Sequence, residues 1–144
     1  MVVEESITIK ASLDKVWKTF TDLACWADWN TVLRNVSADD ASMEKGETFK
    51  FCIRPFMFPI YLEPILEEVI PNERVVWSGS IFGIFSRHEF FFEEAAGEVL
   101  VKSREAFKGI TLDNLAFVFP KWRIKEMTKA LLKDLKEAAE NSRG

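Results

Sequence analysis

The 144-residue sequence predicts an α+β fold in which a curved antiparallel sheet wraps one long C-terminal helix. Two observations carry this. From residue 121 to about 141 the positions Ile124, Met127, Leu131, Leu135 and Ala138 recur at steps of three and four, one stripe of a 3.6-residue helix, with Thr128 and Ala139 at its edge. Before it lie some 100 residues of short apolar runs broken by turn residues, which offer the apolar surface such a stripe needs.

In chain order, residues 2–10 set Val3, Ile7 and Ile9 against Glu4, Ser6 and Thr8, an imperfect alternation that reads as a first strand. Ser12 is the expected N-cap of a helix with Asp14 in its first turn and Val16, Trp17, Phe20 and Leu23 on its buried side. Residues 22–30 hold Trp26 and Trp29 and read as a second short helix or turn plugging one end of the sheet. Six further strands are expected at 32–37, 47–54, 60–70, 74–80, 85–93 and 98–107, making seven in an antiparallel meander. On the last helix no Gly or Pro interrupts the stripe, Pro120 precedes it, and Glu126, Lys129, Lys133, Lys136 and Glu140 form the expected solvated face.

Bulk composition narrows the function classes. The length suits one domain spanning 1–144 with a core that needs no staples. Thirteen Phe and five Trp against one Tyr imply either a very aromatic core or an apolar cavity, because Phe adds area without a polar handle. A net charge of −4 argues against a nucleic-acid partner, which would require a basic patch. Cys25 and Cys52 lack CxxC spacing, and no leader or membrane-length apolar run is evident, so reduced thiols, a cytoplasmic location and no stable membrane insertion are expected. One His and two distant Cys make no zinc site, and GxGxxG, P-loop and GxSxG patterns are missing, so no metal or cofactor is expected. Glu63, Glu67 and Glu68 read as solvated surface.

A chemically distinctive cluster comes from the turn at Ala96-Gly97. A two- or four-residue turn there places Glu94 opposite Val99, Phe92 opposite Val101, Phe90 opposite Ser103 and His88 opposite Glu105, whereas an odd loop or a bulge would break the pairing. Alternation then gives those inner residues one shared aromatic face, with Trp77 flanking His88 on a similar argument about Gly83. Burial would drive His88 and Glu105 neutral, while pairing would charge both. Three roles follow: mutual satisfaction, polar anchoring of an apolar ligand, or general acid/base work. With Met127 and Leu131 from the helix, these residues form the expected ligand site.

In a meander alternate connections share one end, so the links 55–59, 81–85 and 109–120 meet at one rim. All three are apolar, which makes Phe56, Phe58, Phe82, Phe85 and Phe117 a candidate gate, a partner surface, a membrane-touching lip or an inward plug.

The order strand, two helices, six strands, long helix resembles the helix-grip fold of the START-like, Bet v 1-like (SRPBCC) superfamily. The segment IKASLDKVWKTFTDLACWADWN is similar to the opening of its polyketide cyclase/dehydrase-like members, and VVWSGS, RHEFFF, SREAFKG and MTKALLKDLKEAAE follow in matching order. Leu13 stands where many relatives have Pro, a difference bearing on helix stability. The resemblance implies a hydrophobic-ligand cavity between sheet and helix, and by itself gives no reaction. The expected function is binding of a lipid- or polyketide-like small molecule by a monomer or homodimer. An aromatase/cyclase-type enzyme and a co-chaperone-like interaction module are the rivals.

Overall fold

A computed structural model describes residues 1–109 and 120–141. The chain runs β1 (Val2–Ile9), α1 (Leu13–Thr21), a 3-10 turn (Leu23–Cys25), α2 (Trp26–Trp29), β2 (Arg34–Ala38), β3 (Phe49–Ile53), β4 (Ile60–Leu62), β5 (Ile65–Ile70), β6 (Arg74–Ile81), β7 (Ile84–Ala95), β8 (Glu98–Lys108) and α3 (Lys121–Asn141). All strand pairs are antiparallel, in the orders β1-β8-β7-β6-β5 and β2-β3-β4.

The strand expected at 60–70 is β4 and β5 with a break at Glu63-Pro64. An isolated bridge between Thr48 and Ile65 continues the register in which Phe51 faces Leu62, so the two halves are one kinked strand joining the two sheets. Pro64 has no N–H for the ladder, which interrupts it there. Its carbonyl still accepts from Phe49 N at 3.3 Å. Gly79 lies against the kink, where a Cβ would make an ordinary contact 3.5 Å from Pro64 Cα.

Local chemistry fixes the entry helices. Ser12 Oγ accepts from Lys15 N at 3.2 Å, the expected cap, while Val16 and Phe20 are fully buried. Trp26 plugs the sheet as expected: it is fully buried against Phe20, Phe49 and Trp77, and its indole donates to the Phe20 carbonyl at 2.8 Å. Burying each of these large rings contributes roughly 1.5–3 kcal/mol. Asn30 Oδ1 accepts from Val32 N and Leu33 N at 2.9 Å, holding the turn into β2.

α3 lies against β1 on one flank and α1 and α2 on the other. Cover on both flanks widens the buried stripe beyond the expected one. Ile124, Thr128, Leu131, Leu132, Leu135 and Ala139 are buried, whereas Met127 and Ala138 are half-buried. Lys136 and Glu140 leave the solvated face expected for them. Lys136 Nζ donates to the Thr8 carbonyl at 2.8 Å and to Glu140 at 2.9 Å, and Lys10 N donates to Glu140 at 3.0 Å, which ties the helix end to β1.

Glu67 and Glu68 also depart from the solvated reading. Glu67 pairs with Arg87 at 3.1 Å and Glu68 with Arg74 at 3.2 Å, because β6 and β7 place arginines beside them on the outer face. No helix among the described residues is long and apolar enough to cross a membrane.

Candidate functional site

Two tight turns set the site. Ala96 (φ 54°) and Gly97 (φ 81°) close β7 onto β8 with Ala95 facing Glu98, and Phe82 (φ 53°) and Gly83 (φ 77°) close β6 onto β7 with Ile81 facing Ile84. Positive φ at both central positions matches the twist of the flanking strands. The expected register follows without a bulge: His88 faces Glu105, Phe90 faces Ser103, Phe92 faces Val101, and Trp77 faces His88.

The direct His88–Glu105 bond considered from the sequence is absent. His88 Nδ1 lies 3.7 Å from Glu105 Oε2, beyond hydrogen-bond range. Instead His88 Nε2 lies 2.6 Å from Ser103 Oγ, and the imidazole stacks on Phe90 with ring centroids 4.1 Å apart. Burial therefore outweighs pairing, pushing His88 down to about 3 and Glu105 up to about 8. Both groups are uncharged near neutral pH.

A cavity of about 140 Å³ opens between the sheet, α3 and the turn after α2. Of the expected site, Trp77, His88, Glu105, Met127 and Leu131 line it. Phe90, Phe92 and Ser103 do not. They share the inner face, but Phe20 packs 4.8 Å from Phe90 and 5.4 Å from Phe92 and fills that end with solid core. Ser103 stands behind His88, 2% exposed.

At the rim Phe56, Phe58 and Phe82 are exposed, the last by 74%. Arg123 Nε donates to the Pro55 carbonyl at 2.6 Å, fastening the 55–59 link to the start of α3, where the Phe56 and Trp122 rings approach to 6.4 Å. Phe85 is not at the gate. Because the turn takes only Phe82 and Gly83, Phe85 falls inside β7 on the parity opposite His88, with the Lys108 ammonium 5.2 Å from its ring centroid. Phe117 and most of the 109–120 link lie outside the described residues.

Several lining residues escaped the sequence reading. Ile84 and Ser86 precede His88 at the same parity, and Phe107 follows Glu105, so extending the alternation would have found them. Val32, Leu33 and the β3–β4 residues Phe51, Ile53 and Ile60 carried no such signal. Glu63, expected as solvated surface, accepts from Thr48 Oγ1 at 3.3 Å and borders the cavity. Glu5 was overlooked as well. It stands at the parity of Val3 and Ile7, opposite Ser103, with Lys125 Nζ 3.5 Å away.

Away from the cavity, Asp40, Glu44 and Glu47 are the described carboxylates close enough to share an ion, and the Asp40 charge beside Glu47 raises its carboxyl above the usual range.

Residues 1–140 match the family model for polyketide cyclase / dehydrase and lipid transport proteins. No curated protein sequence matches the chain. Among solved structures, a Thermus thermophilus protein superposes with a TM-score of 0.80 at 13% identity over 96% of this chain and 97% of its own. A hypothetical Helicobacter pylori protein gives 0.78 at 18% over 96% and 88%. The di-domain ARO/CYC protein BexL gives 0.77 at 14% over 100% of this chain and 51% of its own. At these identities the likeness is one of fold, the helix-grip arrangement. The family match reaches from the first strand to the last turns of α3, and the chain belongs to the polyketide cyclase/dehydrase and lipid transport family, within the START-like, Bet v 1-like superfamily.

Proposed function

We propose that this protein binds a small, mostly apolar molecule in the cavity between the sheet and α3, with His88 and Glu105 as polar anchors. The observation that carries the reading is the cavity itself: apolar walls from Trp77, Ile84, Phe107, Met127 and Leu131, with His88 and Glu105 as polar lining residues whose Nδ1 and Oε2 stand 3.7 Å apart. A few placed polar groups in an apolar wall is the usual composition of a small-molecule site. A volume near 140 Å³ suits a body about the size of one aromatic ring.

Solvent extraction of the purified protein with mass analysis, alongside titration with an apolar fluorescent probe, tests this. A bound organic molecule or saturable probe binding, abolished by filling the space with Met127→Trp, supports it. A chain that carries nothing and takes up no probe refutes it.

One observation favours a catalytic version. A protonated carboxyl and a neutral imidazole side by side are groups whose environments push their pKa values apart, the pattern of an acid/base pair. Glu105→Gln would then abolish turnover of a carbonyl ligand while leaving its affinity nearly unchanged.

A further inference from the structure

The charges around the cavity are one-sided. Its ionisable lining residues are His88, Glu63 and Glu105, and no Lys or Arg is among the described lining residues. The nearby cations are already engaged elsewhere. Arg123 holds the Pro55 carbonyl, and Lys125 lies beside Glu5 in a separate groove. A carboxylate or phosphate entering this space would lose its water, meet no counter-charge and pass Glu63 at the border.

We propose that a lining without cations, with Glu63 at its border, makes the cavity a charge filter that admits an uncharged ligand bearing a hydrogen-bond acceptor, such as a carbonyl, for Glu105 to hold, and rejects carboxylates and phosphates. This rests on the ligand-binding reading and narrows its ligand class. The Glu105 carboxyl accepts no hydrogen bond from any described residue, so as an acid it has an O–H to give to a carbonyl oxygen in the cavity. An anion offers an acceptor too, but its charge is not neutralised there.

The test pairs two single-ring probes of similar shape, acetophenone and benzoate, titrated at about pH 6.5, where benzoate is ionised. Binding is read from the NMR shifts of the Trp77 indole N–H and the His88 ring. Acetophenone is expected to bind at least about tenfold more tightly than benzoate, and Glu63→Arg, a change at an exposed position, to raise benzoate affinity several-fold. Benzoate binding as tightly as acetophenone would overturn the filter and leave the ligand-binding reading standing. Binding of neither probe would overturn the binding reading and the filter together.

Discussion

His88 and Ser103 are joined across β7 and β8 by a 2.6 Å contact between Nε2 and Oγ, so the chain's only imidazole is held by a strand hydroxyl and not by the carboxyl directly opposite it. That contact occupies Nε2 and leaves Nδ1 3.7 Å from Glu105 Oε2, with both residues lining the cavity. It also leaves the two ionisable groups to be governed by burial.

The pH dependence of stability follows from that burial. The folded chain keeps the Glu105 proton up to about pH 8, whereas an unfolded glutamate releases it near 4.5, so this group lowers stability as pH rises across that window. His88 acts in the opposite sense. Its pKa falls from 6.5 to about 3, so it lowers stability as pH drops through that range. Between 4.5 and 6.5 the two slopes cancel, and from 6.5 to 8 only the Glu105 slope remains. At about 1.4 kcal/mol per pH unit the loss there is roughly 2 kcal/mol. Urea unfolding at both ends of that window should show the loss in the native chain and not in Glu105→Gln. Equal slopes would mean Glu105 is ionised in the fold.

Ser103→Ala leaves His88 Nε2 buried without its partner. The expected cost is about 1–3 kcal/mol by denaturant unfolding, against less than about 0.5 kcal/mol for Ser86→Ala, which removes a hydroxyl with no hydrogen bond shown. Equal costs would show that the hydroxyl contact contributes nothing.

On the outer face Glu89 is held by Arg74 at 2.7 Å and Arg87 at 2.8 Å, with Arg104 at 3.5 Å. Its side chain is only 9% exposed, so Glu89→Ala strands partly covered guanidinium groups and should cost roughly 2–4 kcal/mol. Because Glu89 projects away from His88, probe affinity should stay within about twofold under folding conditions. A large affinity loss in a folded variant would contradict the assignment of faces.

Gly109 has φ 154°, and a Cβ there would lie 2.5 Å from the Gly83 carbonyl oxygen. Backbone cannot yield as a side-chain tip can, so Gly109→Ala should cost about 1–3 kcal/mol. Gly97→Ala meets open space and carries only the strain of its φ of 81°, so it should cost less. Thermal unfolding of the pair checks the order, and a reversal would place Gly109 away from the 82–83 turn.

The register of the cavity wall was legible because two residue-level features settle it. Even-numbered turns at Ala96-Gly97 and Phe82-Gly83 fix which residues oppose, and the strict period of two carries that pairing along the strands. The same arithmetic, carried two residues further, would have reached Ser86 and Phe107. The overlooked Glu5 marks the limit of reading strands by hydrophobicity: a carboxylate at an apolar parity looks like an imperfection until the neighbouring strand is in place.

Sequence alone determined the order of elements apart from the break at Glu63-Pro64, the centre of the helix stripe, the Trp26 plug and the facing of His88 toward Glu105, since each depends on spacing along a regular backbone. Only the tertiary structure decided that Ser103 holds His88, that Phe90 and Phe92 are core while Trp77 and Met127 line space, and that Glu67, Glu68, Lys136 and Glu140 are tied down. Those outcomes depend on distances between elements far apart in the chain. A shift of about 1 Å separates a hydrogen bond from a mere approach, and no periodicity encodes it.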